Sequence, residues 1–335
     1  MISEEGDVTT SRRNGNTQYR AALEGAARVA ATALLFVVGC TSSSGPAAPG
    51  PAAAGGGGAP GSATGGDASD GGTVMPCTPA RAHVPGTSTV NMQYGGVTRD
   101  YVLHIPPAYD GTEPLPLVFD VHGYTSFATE QLMRSKWDQM ADKENFILID
   151  PDGINQSWNA GNCCGGNDVD DVGFFREMVK EATADLCIDS KRVYVSGHSN
   201  GGAMTYRLAC EAADIFAAAS PVCGWMGIDS CKPSRPVAML EIRALDDGRV
   251  PYDGGGIATS AASDLNLWLG LDLCASARVA SSQNGVCTVH PSCDQGTQVS
   301  ECHPHGDHDF FYATNPDDLR VPDTAWPFFK QFSLP

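Results

Sequence analysis

The sequence predicts an α/β fold: a mainly parallel central sheet with helices on both faces. Two observations carry this. Nearly continuous apolar runs of strand length recur along the chain, as in Leu115 to Val121, Phe146 to Ile149 and Arg192 to Val195. Between them lie longer segments with helical spacing, such as Asp171 to Asp185 and Gly201 to Cys210. Parallel strands covered on both faces are apolar throughout rather than alternating, and a helix must return the chain between them.

In chain order, Tyr101 to Ile105 alternates like a strand, and Leu115 to Val121 is the first buried run, ending in His122-Gly123-Tyr124. Glu130 to Asp142 has the spacing of one helix. Phe146 to Ile149 is a second buried strand, closed by Pro151-Asp152-Gly153, and Asp171 to Asp185 is a helix. Arg192 to Val195 is a third buried strand, followed by the helix from Gly201 to Cys210. Phe216 to Val222 and Val237 to Ile242 are further strands, and Ile257 to Leu269 a helix. Gln298 to Cys302 is a short strand, and Asp323 to Phe332 a closing helix.

This folded part occupies 77–335. Ahead of it, residues 1–40 read as a secretory address: Arg12, Arg13, Arg20 and Arg28 precede a short apolar run, Val29 to Val38, that ends in small residues and Cys40. The run is shorter than the roughly 20 residues that span a bilayer. Its ending resembles a bacterial lipobox, which implies lipidation of Cys40 and attachment to a membrane through that lipid alone, on the outer membrane if the organism has one. Residues 41–76 are rich in Gly, Ala, Ser and Pro, cannot bury a core, and read as a flexible tether.

Composition narrows the function. The 335 residues carry 39 acidic against 21 basic side chains, a formal charge of -18. Nucleic-acid binding needs a positive face, so that class is excluded. The 12 cysteines contain no CxxC pair, which excludes zinc-ribbon spacing and fits an oxidising compartment.

Gly197-His198-Ser199-Asn200-Gly201 lies between the third apolar run and its helix. That is G-x-S-x-G in the strand–turn–helix context that gives the pattern meaning, the nucleophile elbow of the α/β-hydrolase fold. The acid and base must then follow the serine in the order acid, histidine. Asp247 lies just beyond the strand Val237 to Ile242, with Asp246 as its competitor. His308 follows the strand Gln298 to Cys302, with His305 next in order of preference. In such a triad His308 takes the proton of Ser199 and Asp247 orients the imidazole. Asn200, after the nucleophile, and Tyr124, after the first buried strand, are the expected N–H donors to the oxyanion. This chemistry needs no cofactor.

The same histidines spell H-x-H-x-D-H, from His303 to His308, a pattern of binuclear zinc hydrolases. That fold needs most of its chain after the motif, and no histidine follows His308. No metal site is therefore expected there.

The region from Cys77 onward resembles the secreted esterases that comprise polyhydroxybutyrate depolymerases and feruloyl or acetylxylan esterases. The matching stretches include Arg99 to Leu103 with Ile105-Pro106-Pro107, Leu117 to Gly123, Pro151-Asp152-Gly153, Trp158 to Gly165, Asp170 to Phe174, Arg192 to Met204, and Val250-Pro251-Tyr252. The resemblance implies a polyester or a cell-wall ester as substrate, with the polyester favoured, and Trp158 and Phe310 as aromatic walls of the crevice. An inactive surface binding protein is the alternative of another class, and an intact triad argues against it. Two departures stand out. Arg243-Ala244-Leu245 replaces a usual His-Gly-Thr before the acid, and Asp307-His308-Asp309-Phe310 departs from the usual Gly-His-x-Trp around the base.

Without Cys40, 11 cysteines remain, so at least one is unpaired. Cys274, Cys287, Cys293 and Cys302 allow three connectivities. Cys274–Cys293 with Cys287–Cys302 is preferred, and any of the three would brace the loop that holds His308. Cys163 and Cys164 stand ready to brace a second loop.

Overall fold

Each apolar run becomes a buried strand, and the spaces between them become helices. The computed structural model describes residues 75–165, 168–275, 279–280, 286–309 and 315–335. The segment 1–40 with Cys40, the tether to residue 74, and Phe310 lie outside the described residues.

The strands are β1 (Gly86–Tyr94), β2 (Val97–Ile105), β3 (Leu115–Val121), β4 (Ile147–Pro151), β5 (Ile188–His198), β6 (Ala218–Val222), β7 (Ala238–Ile242), β8 (Val279–Ala280), β9 (Cys287–His290) and β10 (Val299–Cys302). They form one sheet in the order β1-β2-β4-β3-β5-β6-β7-β10-β9-β8. The six central strands, β4 to β10 in that order, run parallel. Antiparallel pairs finish both edges. Every residue of β3, β4, β6 and β7 is buried, which is why those stretches are apolar without alternation.

The helices are α1 (Ala128–Ser135), α2 (Trp137–Glu144), α3 (Asp171–Asp185), α4 (Asn200–Glu211), α5 (Ala261–Leu271) and α6 (Val321–Phe329). Two core clusters lie on the two faces of the sheet. One gathers Phe119, Trp158, Phe175 and Phe216 with α3 and α4; the other gathers Trp137, Phe146, Tyr194, Trp326 and Phe329 with α2 and α6.

The structure corrects several expected elements. The single helix from Glu130 to Asp142 is two helices, because Lys136 takes a left-handed conformation with φ of 64° and ends α1. The helix expected from Ile257 begins at Ala261, where the Ser260 hydroxyl caps it by accepting from Ser263 N–H. The closing helix runs earlier than expected, from Val321. Strands β1, β8 and β9 add to the strands that the sequence predicts.

Five disulfides tie the described chain: Cys77–Cys187, Cys163–Cys164, Cys210–Cys231, Cys274–Cys293 and Cys287–Cys302. The preferred pairing of the four late cysteines is the one observed. Cys287–Cys302 crosses directly between paired positions of β9 and β10. Cys223 is unpaired and buried.

Candidate active site

Strand β5 delivers Ser199 to the carboxyl edge of the sheet, and α4 starts immediately after it. The serine has φ of 58° and ψ of −118°, a backbone that a residue with a side chain rarely adopts. Such strain persists only where the surroundings impose it. Here they do: Ser199 N–H donates to Val222 O at 2.9 Å, and its carbonyl accepts from Ala203 N–H. The flanking glycines are steric necessities. A Cβ on Gly201 would lie 2.2 Å from Val121 O, and one on Gly202 would lie 2.7 Å from Val222 O.

The loop after β3 rides over the serine, and a Cβ on Gly123 would stand 3.2 Å from the Ser199 Cβ. Tyr124 is the next residue. Asn200 opens α4, where the first-turn N–H groups have no acceptor within the helix. Asn200 thus follows Ser199 directly, and Tyr124 follows the glycine that approaches it. The Asn200 side chain is not available to substrate: it is buried, accepts from Trp158 N–H at 2.8 Å and donates to Trp158 O at 3.2 Å.

His122 supports this loop from below. Gly153 N–H donates to its Nε2 at 3.0 Å, so Nδ1 carries the proton and donates to Gly123 O at 2.8 Å. Burial pushes the His122 pKa down to about 4, which keeps the ring neutral.

Asp247 and His308 come together. The Asp247 Oδ2 to His308 Nδ1 distance is 2.7 Å, and both residues are buried. Burial works against the Asp247 charge, but hydrogen bonds from His308 and from Val250 and Arg249 N–H hold its carboxyl below the usual value. Among the described residues no hydrogen bond joins the Ser199 hydroxyl to His308. Such contacts are often long before substrate binds.

The competitors sit elsewhere. Asp246 pairs with His305 at 3.0 Å, both well exposed. His303 faces Glu301 at 3.5 Å and Tyr252 at 3.3 Å. The three histidines of H-x-H-x-D-H therefore engage three different acids.

Trp158 is a correction. Its side chain is fully buried, donates Nε1–H to His122 O at 2.9 Å, and packs on His122 and Phe175. It builds the floor under the loop after β3, and its side chain is buried away from the surface.

Three residues escaped sequence reasoning. His198 Nε2 meets the main-chain oxygen of His308 at 2.9 Å, and the two rings lie 4.6 Å apart. A ring nitrogen facing a carbonyl must carry the proton, and burial, followed by the His308 charge, pushes the His198 pKa down to about 3. Cys223, beside Asp247, has its thiol pushed well above the usual value, first by burial and then by that carboxylate. Arg243 is fully buried, donates to Thr259 O at 2.8 Å and to Gly224 O, and pairs with Asp264 at 2.8 Å and Glu241 at 3.1 Å. It clamps the end of β7 to the loop after β6 and to α5. Only Arg243 left a signal, as a departure from the usual pattern before the acid.

A profile described as the prolyl oligopeptidase family matches residues 152–233. The chain is 29% identical over 255 residues to feruloyl esterase B of Piromyces equi, covering 71% of this chain and 46% of that relative, so it spans about half of that protein's length. It is 30% identical over 242 residues to a probable feruloyl esterase C of Aspergillus clavatus, covering 69% of this chain and 83% of the relative. The acetyl xylan esterase of Aspergillus awamori superposes with a TM-score of 0.54 at 15% identity, over 72% of this chain and 99% of that one, a likeness of fold. Taken with the elbow and the parallel sheet, the identity across most of the Aspergillus clavatus protein means that the chain belongs to the feruloyl esterase family of α/β-hydrolases.

Proposed function

We propose that the protein is a secreted serine esterase that removes feruloyl or acetyl groups from plant cell-wall polysaccharide. The observation that carries the chemistry is the strained Ser199 at the head of α4 beside a buried Asp247–His308 pair at 2.7 Å. In this proposal Ser199 Oγ attacks the ester carbonyl while His308 takes its proton. The Tyr124 and Asn200 N–H groups stabilise the oxyanion. The carbonyl–alkoxy bond then breaks, and His308 returns the proton to the departing alcohol. Water repeats the sequence on the acyl-serine, releasing the acid and restoring the serine. Asp247, whose carboxyl stays ionised, holds the imidazole and stabilises its charged form.

The cell-wall ester replaces the polyester favoured on sequence grounds. The relatives in hand are named for feruloyl esters, and a structural neighbour for acetyl xylan. Five disulfides support export to an oxidising compartment. The arrangement 1–40, 41–76 and 77–335 supports a lipid anchor at Cys40 with a tether that holds the enzyme off the membrane. Hydrolysis of methyl ferulate, p-nitrophenyl acetate and p-nitrophenyl butyrate tests this beside Ser199→Ala. Turnover of the first two that vanishes in the variant is expected. A preference for butyrate with no action on ferulate would return the polyester reading, and no turnover of any ester would favour a binding protein.

A further inference from the structure

We infer that a thiophilic divalent cation, of the zinc or cadmium class, binds at His198, Cys223 and His308 and inhibits the enzyme. A ligand atom from each of the three lies within 4.8 Å of the others, and all three residues are buried. Of the H-x-H-x-D-H stretch only His308 takes part, since its three histidines diverge to separate acids. Two imidazoles and one thiolate form a borderline-soft set suited to zinc and its heavier congener. A tetrahedral site with bonds of about 2.0–2.3 Å places its donors roughly 3.5 Å apart. The cluster therefore closes by an ångström or so, within side-chain rotation.

Charge favours the occupant. Asp247 already places one negative charge against His308. The thiol is held protonated in the free protein, but a coordinating cation displaces that proton. A dication, one thiolate and one carboxylate then sum to zero, with both imidazoles neutral. Ser199, part-exposed beside His198, marks the way in. Occupancy takes His308 away from its role as base, so the inhibitory consequence rests on the esterase reading above, while the binding does not.

The test is a cadmium titration of the full chain carrying Cys40→Ser. Ten of the 12 cysteines are in disulfides, so Cys223 is then the one thiol. The expected result is one equivalent of cadmium bound, with an ultraviolet sulfur-to-metal charge-transfer band, and loss of p-nitrophenyl acetate hydrolysis that EDTA reverses. In Cys223→Ala and Cys223→Ser the band disappears, and the half-inhibiting concentration rises at least tenfold, each enzyme being compared with its own metal-free rate. A band that is absent from the parent chain or persists in both variants overturns the site. So does equal sensitivity of parent and variants. If the metal-free parent hydrolyses no ester, the esterase reading fails, and the band still decides whether the cation binds.

Discussion

His198, the residue before the proposed nucleophile, donates its Nε2–H to the main-chain carbonyl of His308 at 2.9 Å. The elbow and the base loop are 110 residues apart in sequence, yet this bond, with the ring contact at 4.6 Å, ties one to the other. Burial pushes the His198 pKa down to about 3, so the ring makes this bond as a neutral donor.

His198→Leu removes the donor and leaves the His308 carbonyl buried without it. A net hydrogen bond is worth about 0.5–1.5 kcal/mol, so kcat/KM should fall about two- to thirteenfold while KM changes little. His198→Gln, whose amide can donate in the same direction, should recover most of the loss. Equal losses in both variants would point to packing alone.

Asp247→Asn should lower kcat by a factor on the order of 10,000, the loss expected when the orienting acid of such a triad is neutralised. Asp246→Asn removes only an exposed pair with His305 and should leave kcat within about twofold, since exposed pairs contribute little. Steady-state kinetics on p-nitrophenyl acetate separates the two, and a reversed order would move the acid to Asp246.

Burial pushes the Asp120 carboxyl up to about 7, and its Oδ2 has no hydrogen-bond partner. A raised acid pKa means stability that is full below the ordinary carboxylate range, near 4, and lost as pH rises through about 7. Asp120→Asn cannot ionise. Its melting temperature should stay close to that of the parent at pH 4 and exceed it by several degrees at pH 8. A gap that does not change with pH would remove ionisation as the cause.

Replacing Cys287 and Cys302 by Ala together opens a loop with a sequence separation of 15. Chain entropy sets the cost near 3 kcal/mol, measurable by urea unfolding. Since β10 leads directly to the loop bearing His308, kcat should fall as well. Unchanged kcat with lowered stability would show that the bridge does not position the base.

Much of this fold is legible in the sequence for a physical reason. Strand β3 and helix α3 coincide with their expected bounds, because a doubly covered strand is apolar throughout and a long helix carries its periodicity plainly. The break at Lys136 is invisible, since nothing about lysine announces a left-handed turn. Strand β1 is largely exposed, so its side chains answer to water rather than to a core and show no pattern. At the proposed site, the choice of Ser199, Asp247 and His308 follows from chain order and strand ends, and Asp247 and His308 do meet. His198 does not, because its partner is a carbonyl that every residue possesses. Trp158 misleads because an aromatic beside an active-site loop looks the same in sequence whether it faces the crevice or lies beneath it.

The Cys77–Cys187 bond has a mechanical consequence. Tension applied to the chain ahead of Cys77 passes through that residue to Cys187, next to the first residue of β5. The load line therefore enters the middle of the sheet and never runs along β1. An edge strand loaded end-on would unzip one hydrogen bond at a time. A central strand loaded in shear, with β3 on one side and β6 on the other, yields only when many bonds fail together.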